Sequence, residues 1–185
     1  MTAERWWRDE ETGDLEIDVS AVSEPWRFDD EEHGIKHWKK VDFVFHWPET
    51  KELWLVEIKD PDNPYVQGDP ARSIEDFKQK KLIHESLAPK AKDTFLHLLL
   101  DDALPAGTSI TYIVLFACDA LPPAKRAKYY RTAADELRRA LGLPGPRGRS
   151  WVKADLYIKD CLILSLHEWN QEFGDRVKAR RLSTV

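Results

Sequence analysis

The sequence has little of what marks secreted, membrane-spanning and zinc-binding proteins. It contains two cysteines, Cys118 and Cys161, which are too few for a disulfide framework or for a zinc site of the usual spacing. No apolar run reaches the ~18 residues of a membrane span, and the acidic N-terminus lacks the apolar segment of a signal peptide. We therefore expect a cytoplasmic protein that makes no membrane contact, with both cysteines acting as small buried side chains.

Several catalytic signatures are missing as well. The eight glycines form no phosphate-binding loop, and the sequence shows no Ser–His–Asp arrangement. None of the histidines combines helical ligand spacing with an acidic partner. We expect structural roles for all six of them: His33, His37, His46, His84, His97 and His167.

Charge is divided unevenly along the chain. Residues 1–77 carry 21 acidic and 9 basic residues, whereas residues 78–185 carry 12 acidic and 19 basic residues. A basic half within an acidic protein is typical of a surface that binds a polyanion, although solvated helix surfaces explain the same composition. The acidic N-terminal region would repel nucleic acid, so we expect any contact it makes to be with a protein partner.

The order of predicted elements indicates a mixed α/β domain, because strands are followed by helix, strand, helix, strand and helix. With 42% apolar residues and eight tryptophans, 185 residues suffice for one such domain. In the first third of the chain, the patterns predict a short helix at 3–10, a strand at 15–19, irregular structure at 23–34, and strands at 37–47 and 52–59 around a turn. The middle is predicted to hold a helical region at 71–101, which begins at Asp69 and Pro70 and is interrupted at Pro89, followed by a strand at 108–118 buried on both faces and a helix at 122–142 ended by Gly142. The rest is predicted to hold two short strands within 152–165, a helix capped by Ser165 and Glu168 and ended at Gly174, and a frayed tail at 176–185.

The segment KKVDFVFHWPETKELWLVEIKDP, residues 39–61, predicts a β-hairpin that carries acidic residues where a buried sheet should have none. A two-residue turn at Glu49 and Thr50 would place Asp42 opposite Glu57. Because side chains alternate along a strand, Asp42, Glu57 and Lys59 would share one face. The opposite face would be a wholly apolar core made of Val41, Phe43, Phe45, Trp47, Trp54, Val56 and Ile58.

Two carboxylates that face each other repel, so something must lie between them. A shared proton would serve, but a divalent cation serves better because hard cations prefer carboxylate oxygens. A lysine on the same face could orient a water or stabilise negative charge on a phosphate. The alternative is a surface charge ladder at a solvated strand end, made of Lys40, Asp42, Glu57 and Lys59.

These residues resemble the motif of the PD-(D/E)xK nuclease superfamily. Asp42 matches the first acid, and Glu57, Ile58 and Lys59 match the (D/E)xK part; Val41 stands where the motif has proline. The resemblance implies a restriction-endonuclease-like αβββαβ core with a mixed central β-sheet flanked by helices.

The resemblance also divides the chain. It covers about residues 14–118, which would form the core of a single PD-(D/E)xK-like domain spanning residues 1–185. Residues 119–185 would then be a C-terminal extension made of a strand and helices.

The activity implied by the resemblance is metal-dependent hydrolysis of phosphodiester bonds in nucleic acid, with DNA expected ahead of RNA. Asp42, Glu57 and the backbone carbonyl of Ile58 would hold Mg²⁺ or Mn²⁺, and Lys59 would position or activate the attacking water. Such a nuclease would suit a defence, repair or mobile-element system. A non-catalytic module of the same fold, which binds protein or nucleic acid, is the alternative.

Further residues are candidates for supporting roles. Many members of the superfamily carry another acid upstream, for which Glu24 is the first candidate and Glu16 the second. Gln79 lies in the helix where one branch carries a glutamine, but Ile83 replaces that branch's aromatic residue, and a solvated helix position explains Gln79 better. We expect non-specific phosphate contacts from Lys125, Arg126, Lys128, Arg131, Arg147 and Arg149.

Overall fold

Strands and helices alternate through most of the described chain. The structure is a computed structural model that describes residues 5–8, 13–28, 38–63, 75–77, 79–118, 121–143 and 157–182. The strands are β1 (Trp6–Arg8), β2 (Leu15–Asp18), β3 (Glu24–Arg27), β4 (Phe43–Trp47), β5 (Glu52–Lys59), β6 (Ser109–Phe116), β7 (Ile158–Leu164) and β8 (Ala179–Arg181). The helices are α1 (Ala88–Leu100), which follows a π-helical turn at Ile83–Leu87, α2 (Pro123–Leu141) and α3 (Leu166–Phe173).

The larger sheet has five strands in the order β3-β4-β5-β6-β7. Strands β3, β4 and β5 form an antiparallel meander, whereas β6 is parallel to both β5 and β7. Parallel neighbours need a crossover connection, and the segments that contain α1 and α2 supply the two crossovers. The predicted mixed α/β class with a mixed sheet is therefore confirmed, as is a buried strand at β6.

Two apolar layers enclose this sheet, one on each face. On the first face, Val44 and Leu55 pack with Ala91 of α1 and Leu137 of α2. On the second face, the aromatic residues of the hairpin pack against β2, α3 and β8, and the set includes Phe43, Phe45, Trp47, Trp54, Leu15, Trp169 and Ala179. Both faces of the hairpin are thus core, and the polar residues of the motif must be accommodated inside the first layer.

The smaller sheet joins the two ends of the chain. It has the order β1-β2-β8, with both pairs antiparallel. The predicted helix at 3–10 is therefore wrong over β1, and the predicted frayed tail is wrong over β8. Both strands are held by β2, because Arg8 and Arg180 form ion pairs with its buried Glu16 at 3.0 and 2.7 Å. For β8, this partner strand lies far away in the sequence.

Two prolines behave differently from the sequence-based expectation. The irregular structure predicted at 23–34 is wrong for β3, where Pro25 is tolerated because β3 is an edge strand with one unpaired side. Pro89 does not divide the helical region, because it occupies the first turn of α1, where its missing N–H is not needed. The π-helical turn before it keeps the chain helical, and the amide of Ala88 bonds the carbonyl of Ile83.

Several local signals are confirmed. Gly142 ends α2 in the left-handed conformation, with φ of 71°, which favours glycine because it has no Cβ. Ser165 and Glu168 form a reciprocal capping box at the start of α3, and Gly174 is its C-cap. Of the two strands predicted within 152–165, residues 158–164 form one, and residues 152–156 lie outside the described part of the chain. The helix start predicted at Asp69 and Pro70 lies outside the described residues.

Candidate active site

The hairpin has the predicted register. Phe43 pairs with Val56 and Trp47 with Glu52, so the turn falls where the sequence placed it. Strand β4 begins at Phe43, so Asp42 and Val41 precede the strand. The alternation of side chains between the two faces of the sheet fails at Val41. The sequence pattern predicts Val41 in the second apolar layer, with Phe43 and Phe45. In the structure the amide of Val41 donates to Thr94 Oγ1 at 3.0 Å, and Val41 belongs to the first layer.

The two carboxylates lie close together, as the sequence predicts. Asp42 Oδ2 accepts a hydrogen bond of 2.6 Å from the backbone amide of Ile58, which ties Asp42 to the neighbouring strand beside Glu57. Lys90 Nζ lies 2.8 Å from Glu57 Oε1 and 3.3 Å from Asp42 Oδ1. Lys59 Nζ lies 2.9 Å from Glu57 Oε1. Asp42, Glu57, Lys59 and Lys90 therefore form one cluster, which we call the carboxylate–lysine site.

Burial makes this site unusual and argues against a surface charge ladder. Glu57 is fully buried and Asp42 is 5% exposed, and even Lys40 is 9% exposed. Buried charges are stable only when they are paired, and two ammonium groups balance the two carboxylates here. Burial tends to lower the pKa of Lys90, but the charges of Glu57 and Asp42 outweigh it and raise that pKa, so Lys90 stays protonated.

Lys90 is the functional candidate that the sequence reading missed. It lies on α1, and its neighbours on the same side of the helix, Leu87, Ala91 and Thr94, are buried. A lysine within such a buried stripe is rare unless it is paired. The spacing of residues 87, 91, 94 and 98 marks the buried side of the helix. Lys90 lies on that side and exposed Lys92 does not, so this periodicity could have singled out Lys90.

Two polar atoms in this region have no hydrogen-bond partner among the described residues: Glu57 Oε2 and Tyr112 Oη. Tyr112 lies on β6 opposite Leu55, two positions from the residue that pairs with Glu57, and points to the same face. Burial, followed by the charges of Glu57 and Asp42, raises the pKa of Tyr112 well above its ordinary value. Unsatisfied buried oxygens are costly, and a polar ligand beside Glu57 would supply the missing interaction.

The donor set fits a divalent cation in part. The backbone N–H and C=O of one residue point to the same side of a strand, so the carbonyl of Ile58 faces the side on which its amide meets Asp42. Two carboxylates, one of them with an unsatisfied oxygen, and a carbonyl are the hard oxygen ligands that Mg²⁺ and Mn²⁺ prefer. Within the described ranges, however, no group of three or more His, Cys, Asp or Glu side chains is placed to share a metal.

Neither candidate for the upstream acid joins the carboxylate–lysine site. Glu24 pairs with His46 across β3 and β4 and bonds its Nδ1 at 2.7 Å. The position beside Asp42 is taken by Phe28, whose amide donates to the Asp42 carbonyl, and four residues of strand span about 13 Å. Glu16 belongs to the smaller sheet and is paired with arginines. The assignment of Glu24 as a metal ligand is therefore wrong.

Gln79 and the basic residues have separate places. Gln79 is exposed and bonds Glu75 at 2.9 Å, which agrees with a solvated position. On α2, Lys125, Lys128 and Arg131 are exposed, whereas Arg126 is half-buried and donates to the Cys118 carbonyl at 3.3 Å. Arg147 and Arg149 lie outside the described residues.

The start of α2 and the carboxylate–lysine site occupy the same edge of the sheet. Parallel strands β5 and β6 end together, with Lys59 opposite Phe116, and α2 begins shortly after β6. The bond from Arg126 to Cys118 holds the first turn of α2 at that edge. Exposed Lys125 of this turn therefore lies at the end of the sheet where Lys59 reaches solvent, and exposed Lys128 and Arg131 follow in the second and third turns of α2.

Comparisons with known proteins identify no relative: a scan against protein-family models, a search of curated proteins and a search of solved structures each gave no match. No helix within the described ranges is long and apolar enough to cross a bilayer. The functional interpretation therefore depends on the geometry of the site.

Proposed function

We propose that this protein is a metal-dependent nuclease that hydrolyses phosphodiester bonds, with the carboxylate–lysine site as its active centre. The observation that carries the proposal is the convergence of Asp42, Glu57 and Lys59 on one buried position, with Glu57 Oε2 lacking a partner among the described residues. A buried carboxylate held this way suits cation binding better than it suits stability, because its second oxygen is buried without a partner among the described residues, which costs free energy.

The order of elements supports the same proposal. From β3 to β6, three antiparallel strands, a helical region and a parallel strand follow one another. That order agrees with the βββαβ part of the restriction-endonuclease-like core that the motif resemblance implies. It departs from that core before β3, where the described residues form strands β1 and β2 and no helix.

Each residue then has a chemical role. Asp42, Glu57 and the Ile58 carbonyl would hold Mg²⁺ or Mn²⁺, which lowers the pKa of a bound water and offsets charge on a phosphate. Lys59, whose side chain is 19% exposed beside Glu57, would orient the attacking water. The exposed lysines and arginine at the start of α2 would hold the nucleic-acid backbone at the same edge without reading its sequence.

The test is cleavage of labelled duplex DNA, single-stranded DNA and RNA by the full chain in EDTA, Mg²⁺ and Mn²⁺. We expect cutting only with metal. Lys59→Ala should slow it roughly 10²–10⁴-fold while leaving metal affinity nearly unchanged, because loss of a group that assists proton transfer costs about that much. Lys92→Ala, on the exposed side of α1, is the matched control and should cut like wild type. If Lys59→Ala cuts as fast as wild type, the mechanism is wrong.

A second candidate function is favoured by a specific observation. Lys90 already supplies a cation between the carboxylates, and among the described residues no third acid joins them. A non-catalytic module of the same fold, with Lys90 as a permanent counter-ion, would keep this arrangement. Wild-type protein that binds nucleic acid but never cuts it with any metal would make this second candidate the better one.

A further inference from the structure

The ammonium group of Lys90 contacts one oxygen of each carboxylate. One oxygen of Asp42 is taken by the amide of Ile58 at 2.6 Å, so Oδ1 is the oxygen turned towards Lys90. Glu57 Oε1 lies 2.8 Å from the same ammonium. A cation that bridges Asp42 and Glu57 through these oxygens would need the volume that Lys90 Nζ occupies.

The fold brings Lys90 to this position through α1. Thr94, one turn further along the helix, accepts a hydrogen bond from the amide of Val41. This bond fixes α1 against the segment that leads into Asp42. The stem of Lys90 runs among buried residues, while its side chain keeps 15% exposure. The four-carbon stem of a lysine is flexible, so its ammonium can move away from the carboxylates without movement of the helix.

We propose that Lys90 is an internal counter-ion that occupies the cation position in the metal-free protein, and that a divalent cation binds by displacing its ammonium group. The inference rests on the proposed function for the identity of the incoming ion. Without any cation, Asp42 and Glu57 would be buried and mutually repelling. With both ammonium and metal in place, like charges would share one small volume. Lys90 therefore sets metal affinity, in a role separate from that of Lys59.

The proposal predicts opposite effects for two substitutions. Lys90→Gln removes the competing charge, so the Kd for Mn²⁺, measured by calorimetry on EDTA-treated full chain, should fall at least about tenfold. Lys90→Arg supplies a planar guanidinium that can bond both carboxylates, so its Kd should exceed the wild-type value. Lys92→Gln removes an exposed charge from the same helix and should leave the Kd within about twofold of wild type.

The outcomes separate this inference from the proposed function. If wild type binds Mn²⁺ and folded Lys90→Gln binds no more tightly, the inference is overturned while the nuclease proposal stands. If neither wild type nor any variant binds metal, both fail. If Lys90→Gln is unfolded without metal, circular dichroism should show that Mn²⁺ restores its fold, which supports the inference. If Mn²⁺ does not restore it, Lys90→Arg decides: weaker binding than wild type supports displacement, and equal or tighter binding overturns it.

Discussion

The buried carboxylate of Glu57 illustrates how a single charged residue is kept inside a sheet. Two ammonium groups lie within 2.9 Å of one of its oxygens, and the other oxygen has no partner among the described residues. A fully stabilising arrangement would pair both oxygens. The incomplete pairing is what a binding site requires, because a ligand can then supply the missing interaction.

The motif residues were predictable because each is a charged residue in a strand pattern that is otherwise mostly apolar. Asp42, Glu57 and Lys59 interrupt strands that are otherwise apolar, and this contrast is visible in the sequence alone. Lys90 could not be placed the same way, because its contact with Glu57 depends on how α1 crosses the sheet. The expected role of Glu24 failed for a related reason: the sequence does not reveal which residue of an edge strand lies beside Asp42.

A prediction at the residue scale concerns pH. Burial alone would raise the pKa of Asp18, but hydrogen bonds from Arg5 and Ser20 outweigh it and lower that pKa from 3.8 to about 2. Because the folded-state pKa is the lower one, Asp18 stabilises the fold fully above about pH 4 and loses this effect as pH falls towards 2. In Asp18→Asn, the unfolding free energy should therefore decrease less between about pH 4 and pH 2 than in wild type. The expected difference is of order 1 kcal/mol, because solvent screens the exposed Arg5.

Urea unfolding at several pH values between about 2 and 5 measures this effect. Asp135→Asn, at an exposed position of α2, is the matched control and should leave the pH dependence as in wild type. A wild-type curve that does not change on Asp18→Asn would mean that the pair with Arg5 contributes nothing to stability.

The long elements were predictable and the short ones were not. Strands β5 and β6 and helix α2 carry eight or more residues of regular pattern and strong end signals, so their limits were close to those observed. Strands β1, β3 and β8 have only three or four residues each. Such short segments show little period, and these strands exist because a neighbouring strand completes their hydrogen bonds, which for β8 lies far away in the sequence.

A buried ionic clamp joins the last strand to the end of the motif. Arg181 of β8 donates to Asp60 at 2.8 Å through both terminal nitrogens and to Asp14 at 2.7 Å. Asp60 is 5% and Asp14 2% exposed, and Asp60 directly follows Lys59. The clamp therefore fixes the end of β5, where the site begins, from a strand that lies far away in the sequence.

Arg181→Ala should destabilise the protein by about 3–5 kcal/mol, because it leaves two buried carboxylates without their counter-ion. Arg181→Lys should cost less but should not be neutral, since an ammonium cannot reproduce the paired hydrogen bonds. Arg180→Ala is the matched control: Arg180 is 48% exposed, and its partner Glu16 keeps a second arginine, so we expect about 1 kcal/mol or less. Denaturant unfolding measures all three, and equal losses for Arg181→Ala and Arg180→Ala would contradict the clamp.

At the scale of the whole molecule, charge and topology point to the same edge of the larger sheet. The parallel strands β5 and β6 end there, and the basic first turns of α2 follow at once. Ligands of open α/β sheets bind at the carboxyl ends of the strands. The uneven charge seen in the sequence is consistent with this arrangement, although Arg147 and Arg149 lie outside the described residues.

The central claim, that Asp42 and Glu57 hold a divalent cation, is tested most directly by thermal unfolding of EDTA-treated protein with and without Mg²⁺ or Mn²⁺. Metal that binds only the folded state stabilises it by about 2.7 kcal/mol at a hundredfold excess over Kd, which for a chain of this size raises Tm by about 5–10 °C. Wild type should show this rise, and Asp42→Asn should not. Identical melting of EDTA-treated and metal-loaded wild type across millimolar concentrations of both ions would contradict the account.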